Sequence, residues 1–201
     1  YNLLKAGEFP IDQRIAVAVY TAVATDTGFF RFSNTSGEVI KLAAELVDKY
    51  QFSPSYIAEH VYEERTYLSV RLMGAVLSTL QLSEDKKVSW MVMDQEALER
   101  FPVELEETEN FVNYAGAIRG VEVGLLFKEI HPGEVKVSWR SRESVDVSVL
   151  AAKFGGGGHA RAAGCTLNGS LSEAVDQVLF FLNDYFLQRE TEKIETSVGP
   201  K

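Results

Sequence analysis

The 201 residues include one cysteine, Cys165, so no internal disulfide can form, which suits a reducing compartment. Its apolar neighbours in Ala163-Gly164-Cys165-Thr166-Leu167 predict a small core hydrophobe on a buried strand rather than a nucleophile. No apolar run approaches the roughly 20 residues that a bilayer-spanning helix needs. The first residues also lack a basic stretch followed by an apolar core, so the expectation is a cytoplasmic protein with no membrane partner. Positive charge is scarce: 20 Lys and Arg stand against 29 Asp and Glu, a net charge of −9. A protein that grips a long nucleic acid neutralises many phosphates and normally carries an excess of basic residues. A nucleotide ligand here is therefore expected to be small, or a short oligomer held at a local site. Histidine is also rare, and its three copies are isolated from one another.

Glycine, in contrast, is concentrated. Gly155-Gly156-Gly157-Gly158-His159-Ala160-Arg161-Ala162-Ala163-Gly164 places four glycines before a His and an Arg. Without a Cβ, the backbone can turn its N–H groups toward a ligand at close range, which is the requirement for an anion nest. The small residues 160–163 favour a helix, which would set the glycines at a helix N-terminus, where phosphate is favoured. A flexible linker is the other reading of a glycine run. This run contains no serine and is followed at once by charged donors, which favours binding.

The composition, 46% hydrophobic and 24% charged, is that of a globular protein of one large or two small domains. Residues 1–10 read as an entry segment, and 11–24 as a nearly buried helix. The segment Thr25-Asp26-Thr27-Gly28-Phe29-Phe30-Arg31-Phe32-Ser33-Asn34-Thr35 follows. Asp26 reads equally as a ligand for Mg²⁺ or Mn²⁺ and as an Asx-turn residue. The three phenylalanines read as core. Ser36 and Ser53 cap further helices, the second opening on Pro54. His60 reads as a surface residue, and a long helix is predicted over 65–80. Beyond it the pattern is β-α-α-β-β-α-loop-α-β-α. A hairpin turns at His131-Pro132-Gly133, Ser144 caps a short helix over 145–154, and a last helix runs from Leu171 to about 187. The hairpin delivers Arg140 and Arg142 toward the glycine run. Arg140 reads as a phosphate ligand, with pairing to Glu143 or Asp146 as the alternative, and Arg142 is left open.

These motifs together resemble the DHH phosphoesterase superfamily, in particular its oligoribonuclease and adenosine bisphosphate phosphatase branch. The 25–35 segment is similar to the last metal motif of the catalytic DHH domain, with Asp26 as the ligand. Ser138-Trp139-Arg140-Ser141, Asp146-Val147 and Phe154 through Gly164 resemble the DHH-associated domain. The resemblance implies an α/β fold: a mainly helical remnant of the catalytic DHH domain over 1–64, a connecting helix over 65–82, a smaller α/β substrate-binding domain with a mixed sheet over 83–188, and a disordered tail over 189–201. It also implies two-metal hydrolysis with Mn²⁺ or Mg²⁺. Asp26 would serve as metal and catalytic residue, and Arg140, Gly156, Gly157, Gly158, His159 and Arg161 would bind substrate. The partners would be short RNA oligonucleotides or mononucleotide bisphosphates.

The sequence departs from that pattern, because the family's HxDxD-type motif and its Asp-His-His triplet are absent. The expectation is the C-terminal portion of a longer protein, inactive by itself, in which the helix at 65–80 could support a homodimer. A cyclic or linear dinucleotide phosphodiesterase and a non-catalytic RNA-binding module are the rival functions.

Overall fold

A computed structural model describes residues 1–197 except Ser33, Glu143 and Ser144, with the backbone alone over 192–197. The expected cap Ser144 and the expected Arg140 partner Glu143 lie outside the described residues. Contacts divide the chain into two compact units, Tyr1–Glu64 and Arg65–Lys201.

The first unit is helical. It comprises α1 (Asn2–Ala6), α2 (Gln13–Asp26), α3 (Gly37–Tyr50) and α4 (Pro54–Ala58), which continues into a π-helical turn at Glu59–Glu63. Three starts follow a common rule, in which a side-chain oxygen accepts an otherwise orphan backbone N–H. Asp12 accepts from Ile15, Ser36 from Val39 and Ser53 from Tyr56. Ala16, Tyr20 and Ala24 of α2 meet Ala43 and Leu46 of α3 and Ile57 of α4 in one core. Phe30 and Phe52 pack edge-on against Tyr20, whereas Phe32, expected in the core, is 52% exposed. His60 lies on the surface, stacked on Tyr56.

The second unit is a six-stranded mixed sheet with helices on both faces. Its strands are β1 (Gln81–Leu82), β2 (Val88–Met93), β3 (Val123–His131), β4 (Glu134–Ser141), β5 (Gly157–His159) and β6 (Ala162–Asn168). Their spatial order is β1-β2-β3-β4-β6-β5, and among the described residues only the β2–β3 pair is parallel. Alternate residues of a strand face opposite sides. Val123, Leu125, Phe127, Val135, Val137, Trp139, Ala163, Cys165 and Leu167 therefore form one core with α8 (Val147–Ala152) and α9 (Leu171–Ser197). On the other face Met91, Met93 and Leu126 pack beneath α5 (Tyr67–Ser78), α6 (Gln95–Arg100) and α7 (Val112–Gly116).

Four expectations change here. The second of the two helices expected between the first two strands of this unit is broken into a 3₁₀ turn, Leu105–Thr108, and the separate α7. The helix expected over 145–154 is shorter, α8, and Asp146 caps it, accepting from the Ser148 amide. Residues after the glycines continue as strands rather than starting a helix. Finally, α9 continues to Ser197 through the stretch expected as a disordered tail, and the first two residues of that stretch, Arg189 and Glu190, are anchored. Arg189 pairs with Glu122 at 3.3 Å and Glu190 pairs with Lys87. Residues 198–201 of the expected tail lie outside the described residues.

Candidate functional site

Sheet register builds the recognition face. Arg140 of β4 is opposite Ala162 of β6, and Ala162 is opposite His159 of β5. Registered neighbours share a face, so Arg140, Ala162 and His159 form one row. The next row is Ser138, Gly164 and Gly157, and the third is Lys128, Lys136 and Thr166. At about 4.8 Å per strand, Arg140 and His159 stand roughly 10 Å apart across the sheet. Between them the floor is glycine and alanine. Helices cover this face over β2 and β3, whereas Lys136, Thr166, Gly157 and His159 are exposed. The result is a shallow polar shelf with a guanidinium on one side and an imidazole on the other.

Close backbone packing aims the arginine. A Cβ at Gly124 would stand 2.3 Å from the Gly116 nitrogen, so only glycine lets α7 settle on β3 at this point. The Ser89 hydroxyl secures the same helix by donating to the Ala115 carbonyl at 2.7 Å. Thus placed, α7 presents Asn113, whose Oδ1 accepts from Arg140 Nε at 3.0 Å, and Arg140 Nη1 donates to the Trp139 carbonyl at 3.0 Å.

The glycine run does not form a four-amide cradle. The amides of Gly155 and Gly156 donate to the carbonyls of Ala152 and Ala151 and so close α8. Gly156 is required for close approach, since a Cβ there would meet the Gly164 carbonyl oxygen at 2.1 Å. Gly158 has φ +146° and would press against the Ala162 oxygen at 2.5 Å. Gly157 and Gly158 with His159 instead form an exposed strand at the sheet edge. Arg161 Nη1 donates to the carbonyls of Arg142 and Val145, both at 2.7 Å, bracing the loop before α8. Arg142, left open by the sequence, donates to the Ala117 and Ile118 carbonyls and so caps α7.

Two contributors to this region had gone unassigned. Asn113 carried no signal of its own. Lys128 did carry one, as a charge that follows directly on the apolar run 123–127 of a strand. It is 2% exposed, and its ammonium donates to Thr108 Oγ1 at 3.2 Å. Burial, with a smaller contribution from Lys136, depresses its pKa to about 8. Cys165 is buried as expected, and burial pushes its thiol up.

In the first unit Asp26 closes α2 and is exposed. Its Oδ2 accepts from Asn34 Nδ2 at 3.2 Å, and its backbone carbonyl accepts from the same amide at 3.1 Å. The N–H groups of Thr27, Gly28 and Phe29 go to the carbonyls of Val23, Thr25 and Ala24 instead, which leaves none of the three for an Asx turn. Gly28, Phe29 and Phe30 then take left-handed φ values of 56°, 54° and 63° in succession. Left-handed backbone is costly for aromatic residues and clusters at functional segments. The turn is held by Thr27 Oγ1, which accepts from Phe30, and by the Gly28 carbonyl, which accepts from Arg31 Nε at 2.7 Å. Among the described residues no three His, Cys, Asp or Glu side chains are placed to hold a metal ion. The described residues therefore do not build a two-metal centre.

Residues 88–188 match the DHHA1 domain model. The chain is 37% identical over 177 residues to the bifunctional oligoribonuclease and PAP phosphatase NrnA of Thermus thermophilus, covering 82% of this chain and 49% of that protein. It is 31% identical over 170 residues to the Bacillus subtilis protein of the same name, covering 83% and 53%. Among solved structures, an exopolyphosphatase-related protein from Bacteroides fragilis superposes with a TM-score of 0.81 at 30% identity, over 87% of this chain and 51% of that one. The chain thus spans about half the length of these relatives.

Proposed function

The chain belongs to the DHHA1 domain family of the DHH superfamily, and from that premise we propose that it is the substrate-recognition portion of a phosphoesterase acting on short RNA oligonucleotides and adenosine bisphosphate. The observation that carries this reading is the row from Arg140 to His159 over a floor of Ala162, Gly164 and Gly157. A guanidinium held by Asn113 presents a planar fork that suits phosphate oxygens. The imidazole across the shelf and the hydroxyl of Ser138 add side-chain donors, and the absence of bulk between them lets a phosphodiester backbone lie close to the strands. The identity to proteins named oligoribonuclease and PAP phosphatase supports the substrate class.

In this reading Gly157 and Gly158 keep the shelf open, Gly156 keeps α8 and β6 close, and Arg161 holds the loop behind them. Asp26 supplies one carboxylate toward Mn²⁺ or Mg²⁺. One carboxylate cannot hold two cations, so the 201 residues bind substrate with little or no turnover. The net charge of −9 limits the ligand to a few phosphates. The protein acts in the cytoplasm, as a monomer or a homodimer.

The test titrates this chain with adenosine bisphosphate, a linear diadenylate, a cyclic dinucleotide and a tRNA, with Mn²⁺ present and hydrolysis followed in parallel. The expected result is binding of the first two, lost in Arg140→Met, without turnover. Preference for the cyclic dinucleotide would favour the dinucleotide phosphodiesterase reading. Tight binding of tRNA alone would make the chain an RNA-binding module and overturn the proposal.

A further inference from the structure

Lys128 is difficult to explain as a packing residue. It lies on β3 in the row of Lys136 and Thr166, on the face that carries Arg140, and it is buried under the Leu105–Thr108 turn. Among the described residues its ammonium makes one hydrogen bond, to Thr108, although it has three donors to satisfy. Thr108 is itself fully buried and donates to the Leu105 carbonyl at 2.6 Å. A methionine would fill the same length of core without desolvating a charge, which is costly unless the charge is paired.

The surrounding charges do not pair it. Glu106 and Glu109 favour the ammonium only at a distance, and Lys136 and Arg140 of β4 oppose it. On the outer side of the same turn, the Glu107 carboxylate accepts from Thr66, and Arg65 donates to the Glu107 carbonyl. No carboxylate forms a salt bridge with Lys128 among the described residues. Three cations thus share one sheet face in a protein with an excess of nine negative charges. An anion on that face would offset the opposition of Lys136 and Arg140 to the buried ammonium.

We propose that Lys128 is a positioning cation of the recognition shelf: from under the Leu105–Thr108 turn, on the same sheet face, it supplies positive potential to ligand phosphate held by Arg140, without touching the ligand. This inference rests on the reading of the shelf given above. Field lines through a low-dielectric interior are little screened, so a buried charge can act over a distance at which a surface charge cannot. Burial depresses its pKa, the Lys136 and Arg140 charges add to that, and a bound phosphate would raise it.

The experiment uses the intact chain with adenosine bisphosphate as the probe, between pH 7 and 9.5, where its phosphates are already ionised because their second pKa is about 6. Lysine Cε resonances followed by NMR should contain one that titrates near pH 8, absent from Lys128→Met, and it should move to higher pH when the probe is added. Affinity should fall as pH rises through that transition in the wild type and should be about tenfold weaker and flat with pH in Lys128→Met. The wild-type titration stands even if the variant fails to fold. If the Lys128 resonance is unmoved by saturating probe while Arg140→Met abolishes binding, this inference is wrong and the shelf reading survives. If Arg140→Met binds as well as wild type, the shelf reading itself fails.

Discussion

Alanine substitutions along the glycine run should separate the glycines that the fold needs from the one that the proposed ligand shelf needs. Gly156→Ala places a Cβ 2.1 Å from the Gly164 carbonyl oxygen and 2.5 Å from Cys165 Cβ. Either the loop at Gly156 or β6 would have to move, and overpacking of this kind costs about 1–3 kcal/mol or more. Gly158→Ala combines a 2.5 Å contact with the Ala162 oxygen and a φ of +146°, which an L side chain rarely adopts, so it should cost at least as much. Gly157 differs from both, because a Cβ there meets nothing within 4 Å and its φ lies outside the left-handed region. Its replacement should be neutral or stabilise by up to about 1 kcal/mol through the unfolded chain. The new methyl group would nonetheless stand on the open shelf, in the row of Ser138 and Gly164.

Thermal unfolding and calorimetric titration with adenosine bisphosphate read the two effects independently. Gly156→Ala and Gly158→Ala should lower Tm by roughly 3–10 °C, taking about 2–4 °C per kcal/mol for a chain of this size. Gly157→Ala should keep its Tm and lose about tenfold or more in affinity. If Gly157→Ala melts as early as Gly156→Ala, the packing geometry is wrong. If it binds like wild type, the shelf is not where ligand lies.

Other outcomes follow from the same geometry. Lys128→Met should raise stability at pH 7 by about 1–3 kcal/mol, because burying the ammonium is unfavourable. The wild type should gain stability as pH rises from about 8 toward 10.5, where the unfolded chain binds the extra proton, so urea unfolding of the two proteins should converge at the alkaline end. Arg142→Met should cost about 0.5–1.5 kcal/mol by uncapping α7 and leave ligand affinity nearly unchanged, whereas Arg140→Met should do the reverse. Gly124→Ala should destabilise by several kcal/mol, since the Gly116 backbone cannot withdraw without lifting α7 and Asn113 from the sheet. Asp26→Ala should leave both Tm and affinity for adenosine bisphosphate in place. A large drop in either would make Asp26 structural.

Much of this fold can be read directly from residue types. Ser36 and Ser53 announce their helices, and the turn at Pro132-Gly133 joins two strands that pair as expected, with Gly133 at φ +84°. The alanines at 160, 162 and 163 were misleading. Helix propensity is a weak preference, and here it yields to the pairing of β5 with β6, against which Gly156 and Gly158 leave no room for a Cβ. Small residues were the correct signal, but for a flat floor and not for a helix start. The arginines were ambiguous for a different reason. A guanidinium that braces a loop or helix end and one on an open sheet face look alike in sequence; the structure puts Arg142 and Arg161 on the carbonyls of residues 117, 118, 142 and 145, and Arg140 on the Asn113 side chain and its own neighbour's carbonyl.

The single parallel pairing, β2 with β3, bears on how quickly the shelf can assemble. The two strands are joined by about 30 residues carrying α6 and α7, and closing a loop of that length costs roughly 3 kcal/mol of chain entropy before any contact repays it. By contrast, β3–β4 and β5–β6 are hairpins that can form early from local contacts. Docking of β2, and with it the seating of α7 on Gly124, should therefore be the slow step of refolding. A refolding intermediate would already hold the β3–β4 hairpin with Arg140 on it, but would lack the Asn113 contact that aims the guanidinium, so competence to bind should appear only with the last kinetic phase.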